Sequence, residues 1–414
     1  MKGLKGACMF AQSGGPTSVI NSSAAGVFTE ALGQELITEV YGAAHGIKGV
    51  LDEVFYDISK EDPKEIELLK YTPSSALGSV RYKLKPVEKD DSDYKRLLEV
   101  FKKYNIRYFF YNGGNDSMDT CNKISKFING SGWECNVIGV PKTIDNDLYG
   151  TDHCPGFASA AKYIATTLME INLDAKVYDT GMVCIIEVMG RNAGWLTASA
   201  ALAGYKGLGA DLIYLPETAF DIDKFVEDVK EVCKKNNNKC IAVVSEGIKL
   251  ADGRYVGEFT ASSTDLFGHA QLGGVGAMLG NIVKEKTGIK VRAIELSLMQ
   301  RCGAHLASKV DVEEAFNAGA EAVKAAVNGE TDKMVVFQRD MSSGSYECKY
   351  KLMPLELAAN TEKTVPTEWI VNNGTGLSDE FVKYALPLIQ GDAKAPLEDG
   401  LPRFAKLKKV LAKK

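Results

Sequence analysis

Short runs of apolar, β-prone residues alternate through most of the chain with longer stretches whose apolar positions recur every three or four residues. Runs at 7–11, 36–41, 106–111, 137–140, 183–188, 212–215, 241–244, 290–296 and 334–337 predict strands, most of them containing Val, Ile, Tyr or Phe. Between them, segments 20–32, 117–127, 158–171, 225–234 and 312–326 predict helices, several opened by Ser, Thr, Asn or Asp in capping positions. Alternation of this kind implies α/β architecture with parallel sheets. The polar stretch 339–349 breaks the pattern, so a loop is expected there, with an appended C-terminal piece after it.

A chain of 414 residues exceeds one ordinary core, so two doubly wound α/β domains with a cleft between them are expected. The proposed boundaries give a first domain over 1–156 completed by 298–345, a second over 157–297, and a C-terminal extension over 346–414. Apolar residues at 45% and charged residues at 25% fit a soluble globular protein. No long apolar export segment or membrane-length apolar stretch is apparent, so the cytoplasm is the expected compartment. Nine cysteines without a C-x-x-C pair argue against a zinc site and a disulfide framework. The net charge of −5 offers no general attraction to nucleic acid or anionic membrane. The basic run Lys406, Lys408, Lys409, Lys413 and Lys414 reads as a solvated helix end.

The first strand runs into Ser13, Gly14, Gly15, Pro16 and Thr17, and the strand at 106–111 runs into Asn112, Gly113, Gly114, Asn115, Asp116 and Ser117. Each turn opens a helix, where bared N–H groups favour an anion. Two such turns on neighbouring strands would face one crevice. No G-x-x-x-x-G-K-[ST] occurs, and no G-x-G-x-x-G follows a strand, which removes the P-loop and dinucleotide readings.

After the strand at 137–140 comes Pro141, Lys142, Thr143, Ile144, Asp145, Asn146 and Asp147. An extended backbone would put Asp145 and Asp147 on one side. One carboxylate could then take a proton from a hydroxyl while the other holds Mg²⁺ against phosphate oxygens, with Lys142 adding positive charge. An Asx-rich turn capping its own backbone is the structural alternative. Four histidines, at 45, 153, 269 and 305, and no H-E-x-x-H give a histidine or zinc mechanism little to use.

The sequence resembles the phosphofructokinase family through SGGPTSVIN at 13–21, GSVR at 78–81, GGNDS at 113–117, PKTIDND at 141–147 and EVMGRNAGW at 187–195. PE at 216–217, SEG at 245–247 and QR at 300–301 continue the family's order. The resemblance implies phosphoryl transfer to carbon 1 of fructose 6-phosphate with Mg²⁺. It places Gly15, Arg81, Gly114, Asn115, Asp116 and Ser117 at the donor, with Thr143 beside the transferred group. Asp145 resembles the base, and Asp147 and Asp116 magnesium-associated positions. Met189, Gly190, Arg191, Glu217, Arg292 and Arg301 resemble the sugar-phosphate side. It also implies a homodimer or homotetramer.

Three positions depart from the family pattern. Asn115 stands where ATP-using members carry an acid, so a magnesium contact is lost there or supplied by Asp116. Met182 replaces an intersubunit arginine, and Leu298 a histidine. ATP users commonly carry glycine at the position of Asp116 and often at that of Lys142, whereas pyrophosphate users look like this chain at both. A carboxylate about 4 Å from an inner phosphate costs about 1 to 4 kcal/mol. Pyrophosphate is therefore the expected donor. ATP, or a non-catalytic sugar-phosphate-binding protein of the same fold, are the alternatives.

Overall fold

The computed structural model describes residues 3–259, 274–358 and 361–413. The chain first lays down β1 (Gly6–Gln12), β2 (Ile37–Ala43), β3 (Phe55–Asp57), β4 (Ile106–Gly113) and β5 (Asn136–Pro141). It then builds β6 (Met182–Val188), β7 (Leu212–Tyr214), β8 (Ala219–Phe220), β9 (Lys239–Ser245), β10 (Lys249–Leu250) and β11 (Val291–Glu295). With β12 (Lys333–Asp340) and β13 (Glu347–Pro354) it returns to the first sheet.

That sheet has the order β13-β12-β5-β4-β1-β2-β3, parallel from β12 to β2 and antiparallel at its two edges. Its central strands read as unbroken apolar runs because helices cover both faces. Ala7, Met9, Phe109 and Tyr111 enter the core on one face, and Cys8, Phe10, Tyr108 and Phe110 the core on the other, the alternation that a pleated strand requires. The second sheet, β11-β6-β9-β7, is wholly parallel. In the first sheet the chain leaves β1 for β2 on one side and returns to add β4 on the other. The crevice of this topological switch therefore opens at the C-terminal ends of β1 and β4. β6 is flanked in the same way by β9 and β11.

Helices cover all five expected segments, as Ile20–Leu32, Asn115–Gly130, Phe157–Ala175, Ile222–Lys235 and Lys309–Val327. Their expected caps are mostly not used. Among these five only Ile222–Lys235 has a local side-chain cap, Asp221 accepting from the Lys224 N–H at 2.9 Å. Phe157–Ala175 is capped from another helix, by Asp311, whose carboxylate accepts from the N–H groups of Gly156 and Ser159 at 2.9 Å each. Among the described residues no helix is long and apolar enough to cross a membrane.

Two expectations are corrected. Residues 339–349 are not a loop: Asp340 and Glu347 are paired, so the polar stretch is the turn and flanks of an edge hairpin. One face of β13 is exposed, which removes the apolar signal. Nor is the basic tail a helix end. It runs extended along β3, with Asp57 N–H donating to Val410 O and Ala412 N–H to Phe55 O, both at 2.9 Å. The Glu61 carboxylate accepts from the N–H groups of Lys408 and Lys409 at 2.6 and 2.7 Å, and that anchoring holds the run as an added edge. Lys414 lies outside the described residues.

The piece between hairpin and tail packs on the second sheet's side. Its Val365, Phe381, Ala385 and Leu388 share one buried cluster with Phe157, Trp195 and Leu196.

Candidate active site

The two glycine turns meet at the β1/β4 switch, where the Ser13 N–H donates to Asn112 O at 2.9 Å. Gly14 has φ 76°, a conformation that favours glycine, and a Cβ there would stand 3.2 Å from Lys142 Nζ. A Cβ on Gly15 would stand 3.2 Å from Arg301 Nη1. Lys142 is buried and donates from Nζ to Gly15 O at 2.7 Å. Burial pushes its ammonium down to about 8, with the Asp145 charge opposing the shift. Ser117 is buried with its hydroxyl folded back on Gly113, while Asp116 is exposed in the first turn of Asn115–Gly130. Gly114 packs its backbone toward Thr143, and Arg81 is close enough for its charge to act on both Lys142 and Arg301.

The acid segment is not extended. Thr143 Oγ1 accepts from the Asp145 N–H at 3.1 Å, and Asn146 takes φ 55°. The two carboxylates are thus brought together by a left-handed turn and not by strand alternation, which corrects the extended reading. Burial raises the Asp145 carboxyl, Lys142 and then Arg191 pull it back, and Glu362 adds to the rise. Asp147 is raised by burial first, then by the charges of Asp145 and Glu362.

Asn115 Nδ2 donates to Asp147 Oδ2 at 3.0 Å, while its Oδ1 is buried without a partner among the described residues. An orphaned amide oxygen beside a carboxylate is a hard donor pair that suits Mg²⁺, with Asp116 next along the chain. Among the described residues no three His, Cys, Asp or Glu side chains converge as a metal cage. The fit is therefore to an ion that keeps waters and takes most other ligands from substrate phosphates.

On the opposite wall Met189, Gly190 and Arg191 follow β6. Gly190, at φ 137°, accepts at its carbonyl from Ser245 Oγ at 2.6 Å and donates its N–H to Glu246 Oε1 at 3.2 Å. The Met189 N–H donates to Gln300 Oε1 at 3.3 Å. Burial pushes Glu246 up to about 7, with the Asp145 charge adding and Arg191 subtracting, so Glu246 shares this space. Glu246 belongs to the SEG stretch at 245–247, to which the sequence alone attaches no role. Its position just past the C-terminal end of β9 was the available signal.

Two sugar-side candidates have other surroundings. Glu217 Oε1 accepts from the N–H groups of Gly194 and Val365, at 2.8 and 2.9 Å, which braces these loops together, while its Oε2 is buried without a hydrogen-bond partner among the described residues. Arg292 is exposed on β11, the edge strand, and lines a cavity of about 310 Å³ with Glu170, Asp174, Met182, Cys184 and Ile294. Arg301 lies against the Gly15 turn, held below its ordinary range by burial and then by Arg81. His269 lies outside the described residues.

The geometry joins two anion-ready turns, a buried ammonium and a paired acid turn facing a second α/β unit. Comparison with known proteins agrees with it. A protein from Xanthomonas campestris pv. campestris named pyrophosphate–fructose 6-phosphate 1-phosphotransferase is 45% identical over 413 residues, covering 99% of this chain and 98% of its own. A protein of the same name from Halomonas elongata is 44% identical over 404 residues, covering 97% and 96%. The crystal structure of a pyrophosphate-dependent phosphofructokinase from Nitrosospira multiformis superposes with a TM-score of 0.89 at 40% identity, covering 99% of this chain and 98% of that one. The family described as phosphofructokinase matches residues 7–326, which include both glycine turns, the acid turn and the β6, β9 and β11 loops, and the chain belongs to that family.

Proposed function

We propose that the enzyme transfers a phosphoryl group from pyrophosphate to the 1-hydroxyl of fructose 6-phosphate, reversibly and as a step of glycolysis. The observation that carries this reading is the buried Lys142 ammonium, bonded to Gly15 O and flanked by Asp145, at the junction of both glycine turns. The names of the relatives support the same substrates.

Asp145 accepts the proton of the sugar 1-hydroxyl as its oxygen attacks phosphorus. The bond to the bridging oxygen breaks and orthophosphate leaves. Lys142 and Arg301 stand where negative charge moves across the donor. The Gly14–Gly15 and Gly113–Gly114 backbones cradle the phosphates, with Arg81, Asn115, Asp116 and Ser117 around them. Asp147, with Asn115 Oδ1 and Asp116, would hold Mg²⁺, which neutralises phosphate oxygens when bound. Met189, Gly190, Arg191 and Glu246 receive the sugar.

The donor is tested by initial rates of fructose 1,6-bisphosphate formation. The ratio kcat/KM for pyrophosphate should exceed that for ATP; the reverse order overturns the donor assignment and leaves the family intact.

The working molecule is a cytoplasmic homo-oligomer. Arg292 lies exposed on an edge strand, with the exposed Val177 and Tyr178 at the end of the neighbouring helix and the exposed Leu298 and Met299 just after the strand. A second copy covering this edge would receive Arg292 at its own 6-phosphate subsite. Arg292→Ala then costs about 1.5 to 3 kcal/mol of transition-state binding. Mixing Arg292→Ala with Asp145→Asn chains should restore activity that neither has alone. Failure of complementation between subunits shown to exchange would place Arg292 outside the site.

A further inference from the structure

The family match ends at residue 326, yet residues beyond it close around the acid turn. The Lys363 N–H donates to Asp147 O at 2.7 Å, and Glu362 forms an antiparallel bridge with Leu148. Trp195 Nε1 donates to Lys363 O at 2.8 Å, so the same strand segment also touches the sugar-side loop.

The more telling contact is made by Tyr384, on the helix Asp379–Ala385. Its hydroxyl accepts from Asn146 Nδ2 at 2.9 Å and donates to Asp152 O at 2.7 Å. Asn146, between the two acids, is 0% exposed, and its Oδ1 accepts from the Cys154 N–H at 2.9 Å. Both ends of this amide are therefore committed, at the one residue of the turn with φ 55°. An asparagine tolerates that conformation at a cost that neighbouring bonds must offset.

Tyr384 is itself fixed. Its ring lies 5.2 Å from that of Trp195 and 5.7 Å from that of Trp369. Its carbonyl accepts from Arg339 Nη2 at 2.9 Å, and Arg339 also grips the Asp152 carboxylate at 3.1 and 3.0 Å. Burial raises the phenol well above its ordinary range, so it keeps the proton it donates. The chain Asn146, Tyr384, Asp152 is thus a continuous donor-to-acceptor line whose middle member lies beyond residue 326, where the family match ends.

We propose that Tyr384 is a positioning residue for phosphoryl transfer, its hydroxyl fixing Asn146 and thereby the directions in which Asp145 and Asp147 face the substrates. This rests on the reading of Asp145 as base. Small misplacement of a reacting group is costly, because the gain from pre-orientation is lost steeply with distance.

Tyr384→Phe keeps the ring packing and deletes the hydroxyl. The expected result is a loss of kcat of about 5- to 50-fold, with KM for pyrophosphate and fructose 6-phosphate changed less than about twofold. Asn146→Gly tolerates the left-handed backbone and removes the partner amide. In the double variant Tyr384→Phe should add no further loss of kcat, since the bond is already gone. A Tyr384→Phe enzyme retaining more than half of kcat, or losing only thermal stability, overturns the proposal, as do losses that multiply in the double variant. Should Tyr384→Phe not fold, wild-type kcat in Asn146→Gly alone overturns it. Asp145→Asn measured alongside separates the two readings: high activity there overturns Asp145 as the base, whereas low activity there with near-wild-type kcat in Tyr384→Phe overturns the positioning role alone.

Discussion

Asp145→Asn should lower kcat by roughly 10² to 10⁴ while KM for both substrates moves only a few-fold, the signature of a group needed in the transition state more than in the ground state. The amide preserves the shape of the turn, because the bond that Thr143 Oγ1 accepts from the Asp145 backbone N–H is left in place by the substitution. What it loses is basicity. Folding should not suffer either, since burial already disfavours the charged carboxylate, with Glu362 adding to the penalty. Thermal stability at neutral pH should therefore hold or rise in the variant, so that lost activity reports chemistry.

The pH profile follows from the same surroundings. The base acts only when deprotonated, so wild-type activity is lost as pH falls through the raised Asp145 value. Lys142 acts only when charged, so activity is also lost as pH rises through about 8. The acidic limb should be absent from the residual activity of Asp145→Asn. A variant keeping more than about a tenth of kcat excludes Asp145 as the base.

Legibility of the chain followed how local each interaction is. Strands buried on both faces, such as β4 with Tyr108 to Tyr111, announce themselves as unbroken apolar runs, and the glycine turns at their ends announce a crevice. β13 did not, because half of an edge strand faces water. The cap on Phe157–Ala175 comes from Asp311, more than 150 positions on, and no spacing rule reaches that far. The acid turn was legible as chemistry but not as shape. Period-two alternation predicts two carboxylates on one side, and the left-handed step at Asn146 achieves their approach by another route. Its support from Tyr384 and Lys363 lies in a segment of mixed polarity whose role only its packing reveals. Arg292 shows the converse, since the resemblance places it at the sugar subsite while the edge strand that carries it leaves its side chain exposed.

Asp116→Gly should raise kcat/KM for ATP by roughly 5- to 10³-fold. Asp116 stands exposed in the first turn of Asn115–Gly130, separated only by Asn115 from the Gly113–Gly114 backbone assigned to the proposed donor site. A helix N-terminus attracts phosphate, and here a carboxylate already occupies that position. With the donor placed as proposed, pyrophosphate would end short of Asp116, whereas a nucleotide would bring its inner phosphate close to the same turn. A repulsion of about 1 to 4 kcal/mol at roughly 4 Å gives the expected range, each 1.4 kcal/mol being tenfold. Glycine removes charge and bulk together, at a helix cost of up to about 1 kcal/mol that thermal melting should register. Pyrophosphate turnover should fall in the same variant, because Asn115 offers magnesium an amide oxygen without charge and Asp116 is the adjacent carboxylate. Lys142→Gly should weaken pyrophosphate turnover without admitting ATP, since it removes the ammonium from Gly15 O and leaves the repelling charge in place. Four rates per variant, two donors at limiting and saturating concentration, decide the matter. An unchanged donor ratio in Asp116→Gly would mean that exclusion of ATP lies elsewhere in the crevice, in the space available to the nucleoside and not in the charge at its phosphates.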